Sequence, residues 1–301
     1  MTPAASPRRP PGAARWLRLN DHIQLLKSDM SLSPILQTIL EHKKDELFHG
    51  KKLFPLSALL ESAEQKRSMR RPFAQALAPG KDGKRKEGAF KIIAEIKRSS
   101  PSQCFVPTGF DPVAIARRYE TAGAACLSVL TEDRFFLGSP LYVPLVKEAV
   151  SIPVLRKDFV VDPWQIAEAA ALGADAALLM AVLFENPELM EPYFQMAEKV
   201  GIELLVEIHS AREWEMVKGF EPPLVGINNR DFLSPQLDLD IESTVRLAPL
   251  MPDSVTLVSE SGLSGQGQLG RLTSLGVDGF LIGSAFMKTD DPGKALKELI
   301  E

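Results

Sequence analysis

Apolar runs of five to eight residues recur from residue 90 to the C-terminus, and each is followed by a segment with helical periodicity. The runs carry few polar positions, which is typical of parallel strands that are covered on both faces. We therefore predict eight strands, at 90–97, 125–131, 152–159, 176–181, 203–208, 224–229, 256–261 and 279–286.

The helical segments alternate strictly with these strands, and they lie at 112–122, 141–150, 163–172, 187–200, 212–220, 241–250, 266–275 and 292–300. Several begin at an N-cap residue followed by proline, as at Asp111-Pro112 and Asp162-Pro163. Eight alternating units predict an α/β fold of the (β/α)8 TIM barrel type. A doubly wound open sheet is the alternative, but no G-x-G-x-x-G follows the first strand, which excludes its commonest nucleotide-binding form.

Helical patterns at 34–52 and 57–66 precede the first strand, and Ser33-Pro34 is a plausible start for the first helix. A charged, glycine-bearing linker follows at 80–88. We therefore expect one barrel domain over 30–301, in which 30–88 form an N-terminal helical extension and linker.

Residues 1–29 are rich in Pro, Ala and Arg, with five Lys/Arg against two Asp. We predict a disordered tail there, or a start codon placed upstream of a true start at Met30.

Composition narrows the class of protein without naming a function. The 301 residues are 45% hydrophobic and 25% charged, as in ordinary globular domains. The net charge of −4 argues against a nucleic-acid partner, and no run of about 18 apolar residues suggests a membrane span. Two cysteines and four histidines show no metal-ligand spacing, so we expect no metal or cofactor and a reducing, cytoplasmic location.

Polar residues gather where the predicted strands end. In a (β/α)8 barrel these C-terminal ends meet at one face and form the active site. The N-terminal ends carry almost none of this chemistry, so the sequence predicts a functional site built from Glu95, Lys97, Ser100, Thr131, Lys157, Asp158, Glu207, His209, Asn228, Asn229, Arg230, Glu260, Ser261, Gly283 and Ser284.

The last two strand ends, Ser259-Glu260-Ser261-Gly262 and Ile282-Gly283-Ser284, are small and contain glycine. Glycine lets backbone N–H groups approach an anion, and this part of the barrel commonly binds phosphate. Tight turns without a ligand are the alternative. The lysines, glutamates and asparagines suit carbonyl and carboxylate chemistry, so metal-free acid–base catalysis on a small phosphorylated substrate is favoured.

Seven segments resemble the indole-3-glycerol phosphate synthase family of tryptophan biosynthesis: IAEIKRSSPS, FDPVAIARRYETAGAACLSVLTEDRFFLGS, PVLRKDFVVDPWQI, LLVEIH, VGINNRD, LVSESGL and GFLIGSAFM. The resemblance extends from about residue 34 to the C-terminus and leaves out 1–29. It implies a carbon–carbon lyase that closes the pyrrole ring of 1-(2-carboxyphenylamino)-1-deoxyribulose 5-phosphate with loss of CO2 and water.

The resemblance also implies catalytic roles. Lys157 is the expected general acid towards the ribulose carbonyl oxygen, and Glu207 the base or charge stabiliser for the later dehydration. Lys97 holds a substrate anion or acts as the acid in the dehydration, and Glu95 orients the lysines. Asn228 binds the substrate carboxylate and hydroxyls. A lysine in a dry site near other cations is expected to have a lowered pKa.

The remaining implied roles concern substrate binding. Arg230 assists Asn228, with Ser100 and Ser261 nearby. The phosphate is expected at Gly262, Gly283 and Ser284. The aromatic ring is expected against Phe135, Phe159 and Leu281, with ordinary barrel core as the alternative for these three.

Two positions need comment. Gln103-Cys104 stands where the family usually has a glycine, so a left-handed backbone there would be strained by Cys104. His209 shares a strand face with Glu207, and we expect a hydrogen-bonding group behind it rather than a base.

Two other functions remain open on sequence alone. A phosphoribosylanthranilate isomerase type of barrel would want a cysteine on the first strand, where this chain has Glu95 and Lys97. A non-catalytic barrel that binds a phosphorylated ligand is the second. A monomer or a homodimer is expected.

Overall fold

The computed structural model describes residues 32–78, 89–101, 103–106 and 108–301. The predicted tail at 1–29 and the linker at 80–88 lie outside these residues. Our expectations for those two segments therefore stay predictions.

Within the described residues, eight parallel strands close into a barrel. They are β1 (Lys91–Ile96), β2 (Cys126–Leu130), β3 (Val154–Lys157), β4 (Ala176–Met180), β5 (Glu203–Ile208), β6 (Leu224–Asn228), β7 (Thr256–Glu260) and β8 (Gly279–Ile282). Each strand pairs with its sequence neighbours, and β8 closes the barrel on β1 with Gly279 opposite Lys91. The predicted (β/α)8 barrel is confirmed.

The helices are α1 (Pro34–Leu53), α2 (Leu56–Gln65), α3 (Phe73–Leu77), α4 (Pro112–Thr121), α5 (Tyr142–Ala149), α6 (Pro163–Leu172), α7 (Glu191–Val200), α8 (Ala211–Val217), α9 (Glu242–Leu247), α10 (Gln266–Ser274), α11 (Ser284–Met287) and α12 (Pro292–Ile300). The predicted helix 187–200 is split, because a 3-10 turn at Pro187–Leu189 precedes α7. The last predicted strand is too long, because α11 begins at Ser284.

The Asp-Pro starts form as predicted. The Asp111 carboxylate accepts the N–H groups of Val113 and Ala114 at 2.9 and 3.0 Å and so begins α4. Asp162 begins α6 with a capping box, and α6 ends at Gly173, whose φ of 94° is readily adopted only by glycine. Every residue of β2, β4 and β6 is buried, as the uninterrupted apolar runs require.

Helix α1 lies across the C-terminal end of the barrel, where the polar strand ends meet. Ile35, Leu36 and Ile39 line the cavity there, and the N–H of Ser33 donates to the carbonyl of Phe232 at 3.2 Å. Helix α2 packs against α6, with Lys66 Nζ donating to the carbonyl of Ala171 at 2.6 Å. The N-terminal extension is therefore part of the site.

In the part of the chain that the structure describes, no helix is both long enough and apolar enough to cross a membrane.

Candidate active site

The C-terminal strand ends and helix α1 enclose a cavity of about 450 Å³. Of the fourteen residues that were given catalytic or binding roles, all within the described part of the chain, thirteen line this cavity. They are Glu95, Lys97, Ser100, Lys157, Phe159, Glu207, Asn228, Arg230, Ser261, Gly262, Leu281, Gly283 and Ser284. Strand-end position identified most of these residues, which are far apart in the chain but adjacent in the fold, and the family resemblance implied Phe159 and Leu281.

Lys157 ends β3 and is the central cation of the cavity. Its Nζ lies 3.4 Å from Glu207 Oε2 at the end of β5 and 3.4 Å from Glu260 Oε2 at the end of β7. Burial by itself would lower the pKa of Lys157, but Glu260, Glu207 and Glu95 outweigh it and raise the pKa above its usual value. The expected lowered pKa is wrong for Lys157, because carboxylates rather than cations surround the ammonium.

Glu260 was recognised as a strand-end residue but was not assigned a role in the site. Burial raises its pKa to about 8, with Glu207 and Glu95 adding to the rise and Lys157 opposing it. The carboxyl group occupies space left by Gly226 in β6, since a Cβ at position 226 would overlap Glu260 Oε1. Near neutral pH this group can therefore hold or release a proton beside Lys157.

Lys97 and Glu95 form a second pair on the wall of the cavity. Lys97 Nζ lies 2.6 Å from Glu95 Oε1, and both side chains are nearly buried. A Cβ at position 283 would overlap the same Glu95 oxygen. Glycine at this position therefore leaves room for the Glu95 carboxylate, besides allowing a bound anion to come close to the backbone. The two residues share one face of β1 and its extension, as predicted.

Asn228 is the last residue of β6, and Arg230 follows two residues later. The Asn228 Oδ1 accepts the backbone N–H of Arg230 at 2.9 Å, and the Arg230 guanidinium donates to the carbonyl of Leu237 at 3.0 Å. Burial lowers the pKa of Arg230, with Glu95 opposing the change. The Arg230 guanidinium is thus held at the cavity wall by a backbone carbonyl, and its remaining N–H groups are available to a substrate anion.

The turn after β7 has a left-handed backbone. Ser261 and Gly262 have consecutive positive φ angles of 69° and 74°. Left-handed residues of this kind can turn successive N–H groups towards one point. Asn229 stabilises the turn, because its Nδ2 donates to the Ser261 carbonyl at 3.0 Å. Lys288, which we did not predict, also lines this cavity.

The aromatic part of the cavity differs from our expectation at one residue. Phe136 lines the cavity and packs against Phe159, with ring centroids 6.0 Å apart, whereas Phe135 lies outside the lining beside His42. Hydrogen bonds of the turn at residues 132–136 determine which of the two rings faces the cavity. The Glu132 carboxylate accepts the N–H of Phe136 at 2.9 Å, and the Phe136 carbonyl accepts the N–H of Ser99 at 3.1 Å.

Asp158 links the catalytic strand to helix α1. Its carboxylate contacts Lys43 Nζ at 2.7 Å and accepts the Thr131 hydroxyl at 2.6 Å, and Arg156 lies 3.2 Å away. Burial would raise the pKa of Asp158, but Lys43 and Arg156 outweigh it and lower the pKa to about 2. The side chains of Lys43 and Asp158 are 0% exposed, so this buried ion pair connects helix α1 to the barrel next to Lys157.

The first loop does not strain Cys104. Gln103–Cys104 is a short strand antiparallel to Ser99–Ser100, and Cys104 is not among the residues with positive φ. Its thiol is exposed. Position 104 therefore does not require the left-handed backbone conformation that favours glycine.

Within the described residues, the one group of three potential metal ligands is His42, Glu132 and Asp133, and none of them lines the cavity. His42 Nε2 is already 2.7 Å from Asp133 Oδ1. Both Glu132 oxygens accept backbone N–H groups of residues 134–136. These groups have partners that explain their positions.

Two examples show what sequence reasoning missed. Glu260 carried a usable signal, its strand-end position. The residues that α1 adds to the cavity lining carried no such signal in the sequence. An amphipathic pattern predicts that one face of a helix is buried, but it does not say which surface covers that face.

The known proteins that this chain resembles fall into two groups. The model of the family "Indole-3-glycerol phosphate synthase" matches residues 36–299. A protein of that name from Acidithiobacillus ferrooxidans is 40% identical over 268 residues, which cover 89% of this chain and 99% of the relative. One from Geobacillus thermodenitrificans is 45% identical over 231 residues, covering 76% of this chain and 86% of the relative.

Solved structures support the fold alone. A 3-hexulose-6-phosphate synthase from Salmonella typhimurium superposes with a TM-score of 0.55 at 12% identity, covering 70% of this chain and 98% of that one. The family model matches the barrel and most of helix α1, and the relative from Acidithiobacillus ferrooxidans aligns with this chain over 99% of its own length. The chain belongs to the indole-3-glycerol phosphate synthase family.

Proposed function

We propose that this chain closes the pyrrole ring of 1-(2-carboxyphenylamino)-1-deoxyribulose 5-phosphate, with release of CO2 and water. The observation that carries the proposal is the Lys157 ammonium held between Glu207 and Glu260 on the wall of a largely enclosed cavity. An ammonium in that position is a proton donor for a carbonyl oxygen, and family membership supplies the substrate.

The first step is the condensation. The aromatic carbon that bears the carboxylate attacks the ribulose carbonyl carbon, and Lys157 donates a proton to the carbonyl oxygen, which becomes a hydroxyl group. The bond to the carboxylate then breaks, CO2 leaves, and its electron pair restores the aromatic ring. The raised pKa of Lys157 keeps the acid form fully populated near neutral pH.

The second step is the dehydration. The new hydroxyl leaves as water with a proton from Lys97, and Glu207 accepts the proton lost from the neighbouring carbon. Glu95, 2.6 Å from Lys97 Nζ, stabilises the ammonium before the transfer. Glu260, whose pKa is about 8, buffers the proton beside Lys157 between turnovers.

The same contacts support the proposed binding roles. The left-handed Ser261–Gly262 turn, with Gly283 and Ser284, is proposed to bind the phosphate. Asn228 and Arg230, with Ser100, are proposed to bind the carboxylate and hydroxyls. The aromatic ring is proposed to pack against Phe159 and Leu281, together with Phe136 in the position expected for Phe135.

The test is to mix the purified full chain with the substrate and to follow indole fluorescence, with and without EDTA. A rise that EDTA leaves unchanged is expected. Lys157→Ala should abolish it while preserving the circular dichroism spectrum, because general acids contribute about 10²–10⁴-fold. Lys294→Ala, on the exposed face of α12, is the matched control.

Substrate that binds by calorimetry without any fluorescence rise would contradict the proposal and favour a barrel that binds a phosphorylated ligand without turnover. An isomerase of the phosphoribosylanthranilate type is not favoured, since β1 carries Glu95 and no cysteine, and Lys97 follows it directly. A cytoplasmic location, a monomeric or homodimeric state and the absence of a nucleic-acid partner stay predictions.

A further inference from the structure

His209 is a buried histidine that the proposed reaction does not use. It follows β5 directly, and its side chain is 10% exposed. Its Nδ1 lies 3.2 Å from Glu213 Oε2, and its backbone N–H donates to the same oxygen at 2.8 Å. The Ser210 hydroxyl donates to the other Glu213 oxygen at 3.1 Å. Glu213 is therefore anchored on three sides and fixes the edge of the imidazole that faces it.

The opposite edge of the ring faces the proposed base. His209 Nε2 lies 3.5 Å from Glu207 Oε1, and no described residue supplies a hydrogen bond to either atom. Both atoms are buried. An unsatisfied buried acceptor is costly, so two such atoms that face each other need an explanation.

The protonation state of the imidazole provides that explanation. Beside the Glu213 carboxylate, Nδ1 must carry a proton to form a hydrogen bond. A neutral ring would then leave Nε2 as a bare acceptor facing a carboxylate oxygen, which is a repulsive contact. A proton on Nε2 turns that contact into an attractive ion pair with Glu207 Oε1 across 3.5 Å.

We infer that His209 is an imidazolium held between Glu213 and Glu207, and that it pairs with the Glu207 carboxylate and orients it. His209 is a positioning residue, because it does not line the cavity. With Oε1 held by the ring, Glu207 Oε2 is the oxygen beside Lys157, at 3.4 Å. The proton on Nε2 is not transferred during turnover.

The surrounding charges favour the imidazolium. Glu207 on β5, Glu213 on α8 and Glu260 on β7 all act electrostatically on the ring. Lys157 on β3 is a cation beside Glu207, and it is itself paired with Glu207 and Glu260. Phe232 presents an uncharged ring at 5.5 Å. Burial opposes the charge, but the hydrogen bond with Glu213 and the carboxylates outweigh it and raise the pKa of His209.

The first experiment is NMR of the full chain with ¹⁵N-labelled histidine, with the His209 signal assigned by its loss in His209→Gln. We expect both ring nitrogens of His209 to remain protonated above pH 6.5, the usual midpoint of histidine titration. Glu213→Gln should lower the midpoint of His209. A midpoint at or below 6.5 in the unchanged chain would overturn the inference.

The kinetic experiment is the pH profile of kcat/KM, and it rests on the proposed role of Glu207 as base. Loss of the cation favours the protonated form of the neighbouring carboxylate. His209→Gln and Glu213→Gln should therefore move the acid limb to higher pH by about one unit. His42→Gln, which changes a histidine outside the cavity, is the matched control.

The outcomes distinguish the inference about His209 from the proposed function of the chain. A variant that loses activity with no shift of the profile would show that His209 only packs, and would overturn the inference. An imidazolium seen by NMR in a protein without synthase activity would overturn the proposed function and leave this inference standing.

Discussion

The Glu260 carboxyl group occupies the space above Gly226, on the neighbouring strand of the barrel. A Cβ at position 226 would overlap Glu260 Oε1, and it would also stand 3.3 Å from the side chain of Leu205. Glycine at position 226 therefore leaves room for the side chain of Glu260, which lies 34 residues later in the chain on the next strand. Placement of Glu260 beside Lys157 depends on it.

Gly226→Ala should lower kcat by about 10²-fold, the usual effect of a displacement of about 1 Å at a reacting centre. The carboxyl can swing away without a change of fold, so the melting temperature should fall little. Steady-state kinetics and thermal melting measure the two effects. Gly270→Ala, on α10 where a Cβ meets nothing within 4 Å, is the control. An unchanged kcat in Gly226→Ala would show that the position of Glu260 does not matter.

Lys43→Met should destabilise the protein, by at most about 3–5 kcal/mol, because it removes one of the two cations that pair with the buried Asp158 carboxylate and leaves only Arg156. KM should also rise, since α1 is then held less firmly over the cavity. Urea unfolding and steady-state kinetics are the measurements. Lys44→Met, one residue along the same helix, is the control. A double variant with Asp158→Asn should recover part of the stability, and failure to do so would contradict the pairing.

The same pair predicts how stability depends on acid. The pKa of Asp158 is lowered to about 2 in the folded state, against about 3.9 for an unperturbed aspartate. Its contribution is therefore fully present above pH 3.9 and is lost as the pH falls towards 2. Urea unfolding at a series of pH values should show a smaller acid-induced loss in Asp158→Asn than in the unchanged chain. Equal losses in the two proteins would contradict the lowered pKa.

Asn229→Ala should raise KM about tenfold with little change in kcat, the effect of losing a hydrogen bond that holds a binding group. Asn229 Nδ2 holds the Ser261 carbonyl at 3.0 Å, and the Asn229 Oδ1 accepts the Thr244 hydroxyl at 2.7 Å. Inhibition by inorganic phosphate should weaken in parallel. Asn186→Ala, on the 3-10 turn before α7, is the control. A fall in kcat at constant KM would place Asn229 elsewhere in the mechanism.

Deletion of residues 1–29 should leave activity unchanged. Leu32, which is 5% exposed, and Ser33, which donates to Phe232, both remain in the shortened chain. Deletion of residues 1–53, which also removes α1 and Lys43, should raise KM and lower stability. Kinetics and melting of the two shortened chains test this contrast. A large loss in the first deletion would give residues 1–29 a role in the site.

Much of this protein follows from its sequence alone. Eight apolar runs that alternate with capped helical segments determine a (β/α)8 barrel, because each run must be covered on both faces. The barrel then brings the polar strand ends together, so Lys97, Lys157 and Glu207 could be assigned to one site before their distances were known. These inferences depend on local periodicity and on a rule of the fold.

Tertiary structure decided what depends on distances between strands. Lys157 meets Glu207 and Glu260, fifty and more than one hundred residues away, and so the direction of its pKa shift could not be predicted from neighbours in the chain. The choice of Phe136 over Phe135 depended on the turn around Glu132. Helix α1 showed a buried face in its sequence, but only closure of the barrel and the Lys43–Asp158 pair determined that this face covers the active site.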